Sequence, residues 1–413
     1  MQNIKIKLTN LKQLLTSRKA SFFKYLLCLL FVAVAALPLM AIPSNPSFAA
    51  SEISLGSSVQ VSFPTAIAFK VNAKSDANIT QLRLHYIVKR ENFAKVICEG
   101  WTQFKPSTSV NAEWIWDMRK NGLPPGSKIE YWWTAQDAAG KTAESPHTPL
   151  SFDDNRHKWQ SITKSPVTLY WYEGDKAFAD ALMNSAQQAL QRIEKDTGAV
   201  PTGNVDIYIY ASSDALRGAQ LFAAQWEGGV TFGGFNIIAI GVATNELDYG
   251  LTAVPHELAH WAIGQVTFNN YGADLPRWLD EGLATYAEGA PSQLYQKALD
   301  FAIKNNKLIS VRSLSSPFSA VPQTAYISYA ESNSIVTYLV KTYGKDKMIK
   351  LLDTFSGGSG YDAALKQVYG FDQSGLDIEW RKSLGIKTSA LPHNDNGVAS
   401  EWFTALRFAG AMP

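Results

Sequence analysis

The sequence predicts an α+β protein: a β-sandwich first, then a domain that begins with strands and ends in helices. Three observations carry this. Residues from about 51 to 156 show short alternating apolar runs, as in VQVSFPTAIAFKVNAKS and QLRLHYIVKR. The stretch after Pro166 then places a helical pattern between strands: VTLYWYEG, KAFADALMNSAQQALQRIEKDTG, VDIYIYAS. After Glu281 nearly every segment has helical periodicity. With 413 residues the chain is long enough for two domains.

The first 49 residues read as an export signal. Lys5, Lys7, Lys12, Arg18, Lys19 and Lys24 form a positive region, and YLLCLLFVAVAALPLMAI is the apolar segment behind it. NPSFAA follows, with Ser47 and Ala49 as the small residues a signal peptidase needs, so cleavage is expected after Ala49. A retained anchor is the alternative, because the apolar run approaches the length of a bilayer span. The expected location is periplasmic, cell-envelope or extracellular. Removing the signal removes Cys28 and leaves Cys98 as the one cysteine. No internal disulfide can form, and any metal must be held by His, Asp or Glu. A net charge of +2 gives no reason to expect nucleic acid, and no membrane contact is expected unless the signal is retained.

The sandwich spans 50–156. In LPPGSKIEYWWTAQDAAGKTAESP a Pro-Pro-Gly turn precedes a strand over 128–136, and DAAG makes a hairpin turn. The passage resembles immunoglobulin and fibronectin type III domains, which implies a two-layer fold of about a hundred residues. Trp114, Trp116, Trp132 and Trp133 are read as packing residues. SFDDNRHKWQSITKSP reads as a polar linker. In the second domain, 165–385, GVTFGGFNIIAIGV holds an apolar strand. Helices are expected over 292–305, 325–342, 345–355, 360–369 and 376–384, and 386–413 reads as an irregular tail.

Only six histidines occur, yet two of them stand four apart in AVPHELAHWAIGQ. On a helix His256 and His260 share one face, with Glu257 beside them. Two imidazoles so placed can hold zinc, and the adjacent carboxylate can act on water there. The competing reading is a chance match with two hydrogen-bonded core histidines. A third ligand decides between them. DLPRWLDEGLATYAEGAP puts Glu281 in an amphipathic segment 21 positions after His260, and a second helix folding back would deliver its carboxylate.

HELAH followed by WLDEGLATY resembles the gluzincin zinc metallopeptidases, which include the thermolysin and aminopeptidase N families, and within them the peptidase MA-like proteins. That resemblance covers 165–385. It implies a gluzincin catalytic domain holding one zinc ion through His256, His260 and Glu281, and peptide or protein substrates. It implies Glu257 as general base on water activated by the zinc, and Tyr329 or Tyr326 as donor to the developing oxyanion.

Two departures stand out. Aminopeptidases of this type carry a GxMEN strand whose glutamate holds the substrate's free amine; here the stretch is GGFNI, without it. Strict aminopeptidase activity is therefore not expected, although Glu227 in QWEGG could substitute. Pro255 suggests that the histidine helix begins near Thr252, or kinks there. A start near Thr252 would put His256 at the positive end of the helix dipole. Asp280 reads as a solvated or capping residue. Thr285 could orient a ligand, and Glu288 is too far along to reach the same metal. His85, His147, His157 and His393 lack ligand-like neighbours. The rival functions are an inactive binding module on the same fold and a cell-envelope structural protein with stapling zinc.

Overall fold

The computed structural model describes residues 52–221, 228–272 and 274–386. The export segment, Cys28, Glu227, His393 and the tail beyond Ile386 lie outside the described residues.

Seven strands come first: β1 (Ser54–Ser62), β2 (Ala66–Val88), β3 (Cys98–Trp101), β4 (Ser107–Asp117), β5 (Ser127–Asp137), β6 (Thr142–Glu144) and β7 (Thr148–Phe152). They form one antiparallel sheet that curls about β2. The first half of β2 pairs with β1 and β4, and its second half with β3 and β5. The pairing shifts register between Lys74 and Ile79. Alternation along β2 sends Ile67, Phe69, Val71 and Ala73 inward and leaves Lys70 and Lys74 in solvent. The inward residues meet Trp116, Tyr131 and Trp133 in one core. The expected strand over 128–136 is β5. Its DAAG turn closes through the Gly140 N–H on the Asp137 carbonyl at 3.0 Å. Three of the four tryptophans are buried and Trp114 is half-buried.

A second sheet follows from β8 (Gln160–Lys164), β9 (Val167–Trp171), β10 (Val205–Tyr210), β11 (Gly229–Phe232) and β12 (Ile237–Gly241). Its order is β11-β12-β10-β9-β8, with β10 parallel to both neighbours and the outer pairs antiparallel. The stretch expected as a linker therefore contains strand. Only Ile162 of β8 is even partly buried, so this edge strand has no apolar pattern to read.

Helix α1 (Lys176–Thr197) connects β9 to the parallel β10. It starts where Asp175 accepts from the Phe178 N–H and stops at left-handed Gly198. After the short α2 (Ser213–Arg217) the chain completes the sheet, then turns helical: α3 (Leu247–Thr267), α4 (Arg277–Ala287), α5 (Gln293–Lys304), α6 (Pro322–Tyr343), α7 (Lys345–Ser356), α8 (Tyr361–Tyr369) and α9 (Gln373–Ser383). Five of these helices match expectation to within a few residues.

The second sheet is buried on both faces. Val167, Leu169, Ile207, Ile209, Ile238 and Ile240 pack under the helices. Tyr208, Tyr210, Ile237 and Ala239 point the other way, into the core of the curled sheet. The chain between the sheets is pinned there. Asp154 is buried and takes a two-pronged bond from Arg156, at 2.8 and 2.7 Å. His157 stacks on Tyr172 at 3.9 Å.

Candidate metal centre

Helix α3 begins at Leu247, five residues before the expected Thr252, and Pro255 lies inside it. His256 is thus in the middle of the helix, and the dipole argument for a first-turn histidine falls away. An interior proline has no N–H for the carbonyl four residues back. Here that carbonyl is Leu251's, and the Ser185 hydroxyl of α1 donates to it at 2.9 Å. Of the two sequence readings of Pro255, a helix start near Thr252 or a kink, the start is excluded, and a contact from 66 residues away takes up the carbonyl that the proline leaves.

Helix α4 returns over α3 and packs against α6. A Cβ on Gly282 would stand 2.6 Å from the Ser332 carbonyl, so only glycine permits this approach. Trp278, fully buried, anchors the same helix. The result carries Glu281 to the two histidines. His256 Nε2 and His260 Nε2 are 3.2 Å apart, and Glu281 Oε2 lies 3.3 and 3.5 Å from them. Tetrahedral ligands on zinc bonds of about 2.0–2.1 Å are spaced about 3.4 Å apart, so the triangle fits one small cation. Glu281 Oε2 is buried and makes no hydrogen bond of its own. An orphaned carboxylate oxygen is costly unless something outside the protein satisfies it.

The opposite ring nitrogens are occupied. His256 Nδ1 bonds Glu288 Oε1 and His260 Nδ1 bonds Asp280 Oδ1, each at 2.8 Å. An imidazole donating from Nδ1 presents the Nε2 lone pair to the centre. Burial alone would lower both imidazoles. Glu281 and Glu288 outweigh it at His256 and raise its pKa to about 9; Asp280 and Glu281 hold His260 well above its ordinary value. Burial pushes Glu281 up, yet the two imidazoles hold it well below the usual carboxylate range. Three carboxylates about two imidazoles call for positive charge at this point.

Glu257, buried on the same helix, is held by the edge strand β11. The Thr231 hydroxyl lies 2.7 Å from its Oε2 and 2.9 Å from its backbone carbonyl. A Cβ on Gly229 would meet Glu257 Oε1 at 2.8 Å, so β11 closes on this carboxylate. Tyr329 has its ring 6.4 Å from that of His256 and lies beside Arg277. Tyr326 lies three residues earlier on the same helix.

Residues 185–386 match the Peptidase MA superfamily. The chain carries a Peptidase MA superfamily domain. Aminopeptidase A of Legionella pneumophila, solved with aspartic acid, is similar at 9% identity over 80% of this chain and 50% of that one, with a TM-score of 0.35. An aminopeptidase N family protein of Idiomarina loihiensis is 9% identical over 86% of this chain and 75% of its own, TM-score 0.28. OgpA of Akkermansia muciniphila is 17% identical, but 24% of this chain covers only 27% of it, TM-score 0.19. Likenesses this distant carry no weight for function. No curated protein matches.

Within this domain, sequence reasoning misjudged Asp280 and missed a role of Glu288. Asp280 is no solvated cap but the partner of His260. Glu288 is beyond reach of a metal, as expected, yet it holds His256. Its seven-residue spacing from Glu281 puts it on the same helix face, a signal that was available. Thr285 bonds the carbonyls of Glu281 and Gly282, at 2.8 and 3.1 Å, and touches no ligand side chain in these bonds. GGFNI is a turn rather than a strand: Gly233–Phe235 is a 3-10 helix and Asn236 is left-handed. Asn236 Oδ1 accepts from Trp261 and Gln265. His85 and His147 flank Trp132 in the curled sheet, with ring separations of 5.3 and 3.9 Å.

Proposed function

We propose that this protein is an exported zinc-dependent peptidase that hydrolyses peptide bonds, with Glu257 as general base. The observation that carries the reading is the orphaned Glu281 Oε2 facing two Nε2 lone pairs, with Glu257 on the same helix. Zinc held by His256, His260 and Glu281 would polarise the scissile carbonyl and lower the pKa of water. Glu257 would accept the proton of the attacking water and return it to the leaving amine. Thr231 fixes the carboxylate for both transfers. Tyr329, beside the ligands, would donate to the oxyanion, and Tyr326 would line the approach. An extended peptide would lie along β11, the edge strand next to Glu257. Asn236 offers no carboxylate to hold a free amine, which favours substrates bound through their main chain. We read the curled sheet as a two-layer sandwich of immunoglobulin or fibronectin type III kind. We place the domains at 50–156 and 165–385, after a cleaved signal.

The test uses the purified chain, assayed for bound metal by mass spectrometry and for hydrolysis of a peptide library. Wild type should carry one zinc. Glu257→Gln should keep the metal and lose turnover by at least about a hundredfold, the usual scale of general-base contributions. Unchanged cleavage by Glu257→Gln would sink the mechanism, and a metal-free wild type would sink the site.

A further inference from the structure

Arg277 opens helix α4, where the helix dipole disfavours a cation. Its guanidinium explains the placement. Nη2 lies 2.5 Å from Glu281 Oε1, and Nη1 lies 3.4 Å from Asp280 Oδ2. The same side chain lies beside Tyr329. Glu281 therefore has one oxygen claimed by arginine and the other, Oε2, aimed at the two imidazoles. Asp280 is likewise divided, with Oδ1 on His260 and Oδ2 on Arg277. One guanidinium thus ties down a ligand directly and a second ligand, His260, through the carboxylate that orients it. The i, i+3 and i, i+4 spacings of Arg277, Asp280 and Glu281 put all three on one helix face.

We propose that Arg277 is a positioning residue of the metal centre: by holding Glu281 Oε1 it restricts Glu281 to one-oxygen coordination and keeps a coordination position open. This rests on the reading of the site as a metal centre. A carboxylate free to bind through both oxygens would raise the coordination number and crowd the position that substrate and water need. Arginine suits the task because its planar fork reaches Glu281 and Asp280 at once.

The experiment compares the full chain with Arg277→Gln and Arg277→Lys, using cobalt(II) and zinc alone as probes. Visible absorption of bound cobalt is intense for four-coordinate and weak for five-coordinate ions. Read per bound cobalt, it does not depend on how much of a variant folds. Wild type should give the intense spectrum. Arg277→Gln should give the weaker one and bind zinc about 10–100-fold less tightly in chelator competition, the usual scale for a lost outer partner. Arg277→Lys, which keeps a cation for Oε1, should recover the intense spectrum. If Arg277→Gln matches wild type in spectrum and affinity, the positioning role is overturned while the site stands. If wild type binds neither metal, the reading of the site fails, and this inference with it.

Discussion

Two clusters of buried charge flank helix α6, and they are built on opposite plans. On one side Tyr329 approaches the centre of His256, His260 and Glu281. On the other, Glu331 meets Asp377 and Arg381, all three buried. In the second cluster every group closes on a partner. Both Glu331 oxygens accept from the Ile309 N–H, at 3.2 and 3.1 Å. Asp377 accepts from the Val311 N–H and from Arg381 Nε, at 3.1 and 2.8 Å. Arg381 Nη2 donates to the Leu308 and Ile309 carbonyls. The first cluster points lone pairs at a common centre and leaves Glu281 Oε2 without a hydrogen bond. Burial and charge alone do not mark a functional site. What marks it is unsatisfied valence that converges.

If that contrast holds, the closed cluster should govern stability and leave metal binding alone. Its largest test is Arg381→Met, which strands Asp377 in the interior. Breaking a buried pair in this way costs about 3–5 kcal/mol. Urea unfolding should show that loss, with one metal still bound per folded chain. Loss of metal at folded occupancy would mean the two clusters are one. A subtler test uses pH. Burial pushes the Glu331 carboxyl well above its ordinary value, although the Ile309 N–H and Arg381 pull it down. The native state then keeps a proton that the unfolded chain has released. The stability involved is fully present below the unfolded carboxyl's pKa and is lost as pH rises through the native one. Measured in chelator, the wild type should lose stability from pH 5 to pH 8. Glu331→Gln, neutral throughout, should lose less. Equal slopes in the two proteins would show that Glu331 is not the group responsible.

The same contrast explains what could be read from the sequence. His256 and His260 were legible because one helical turn fixes their geometry. Glu281 was legible because its flanking residues resemble a known pattern. Asp280 was misjudged, and the bond from Glu288 to His256 was missed, because each acts across a helix pair and helix packing is not written in either segment. Pro255 left the start of α3 open between two readings because its compensation, Ser185, comes from another helix. In the second sheet, Tyr208 and Tyr210 alternate with Ile207 and Ile209, and all four are buried. A strand buried on both faces has no polar side to reveal that a second layer covers it. The curled sheet is therefore part of the fold that holds the site.

Thr285 gives the smallest and most discriminating comparison. It sits one turn beyond Glu281, where sequence alone allows a ligand-orienting role, and it is buried. Its hydroxyl instead returns to the carbonyls of its own helix. Thr285→Ala loses that bond, worth about 1 kcal/mol net. It gains roughly 0.6 kcal/mol of helix propensity. The expected change in stability is about 1 kcal/mol or less, read by urea unfolding. Zinc affinity should stay within about twofold, because no side chain that faces the metal loses a partner. Glu288→Gln, on the same face and bonded to His256, should weaken zinc by about 10–100-fold in the same chelator competition. A tenfold loss in Thr285→Ala would show that main-chain support of Glu281 matters as much as the bonds to the ligand rings, and would extend the metal centre into the backbone of α4.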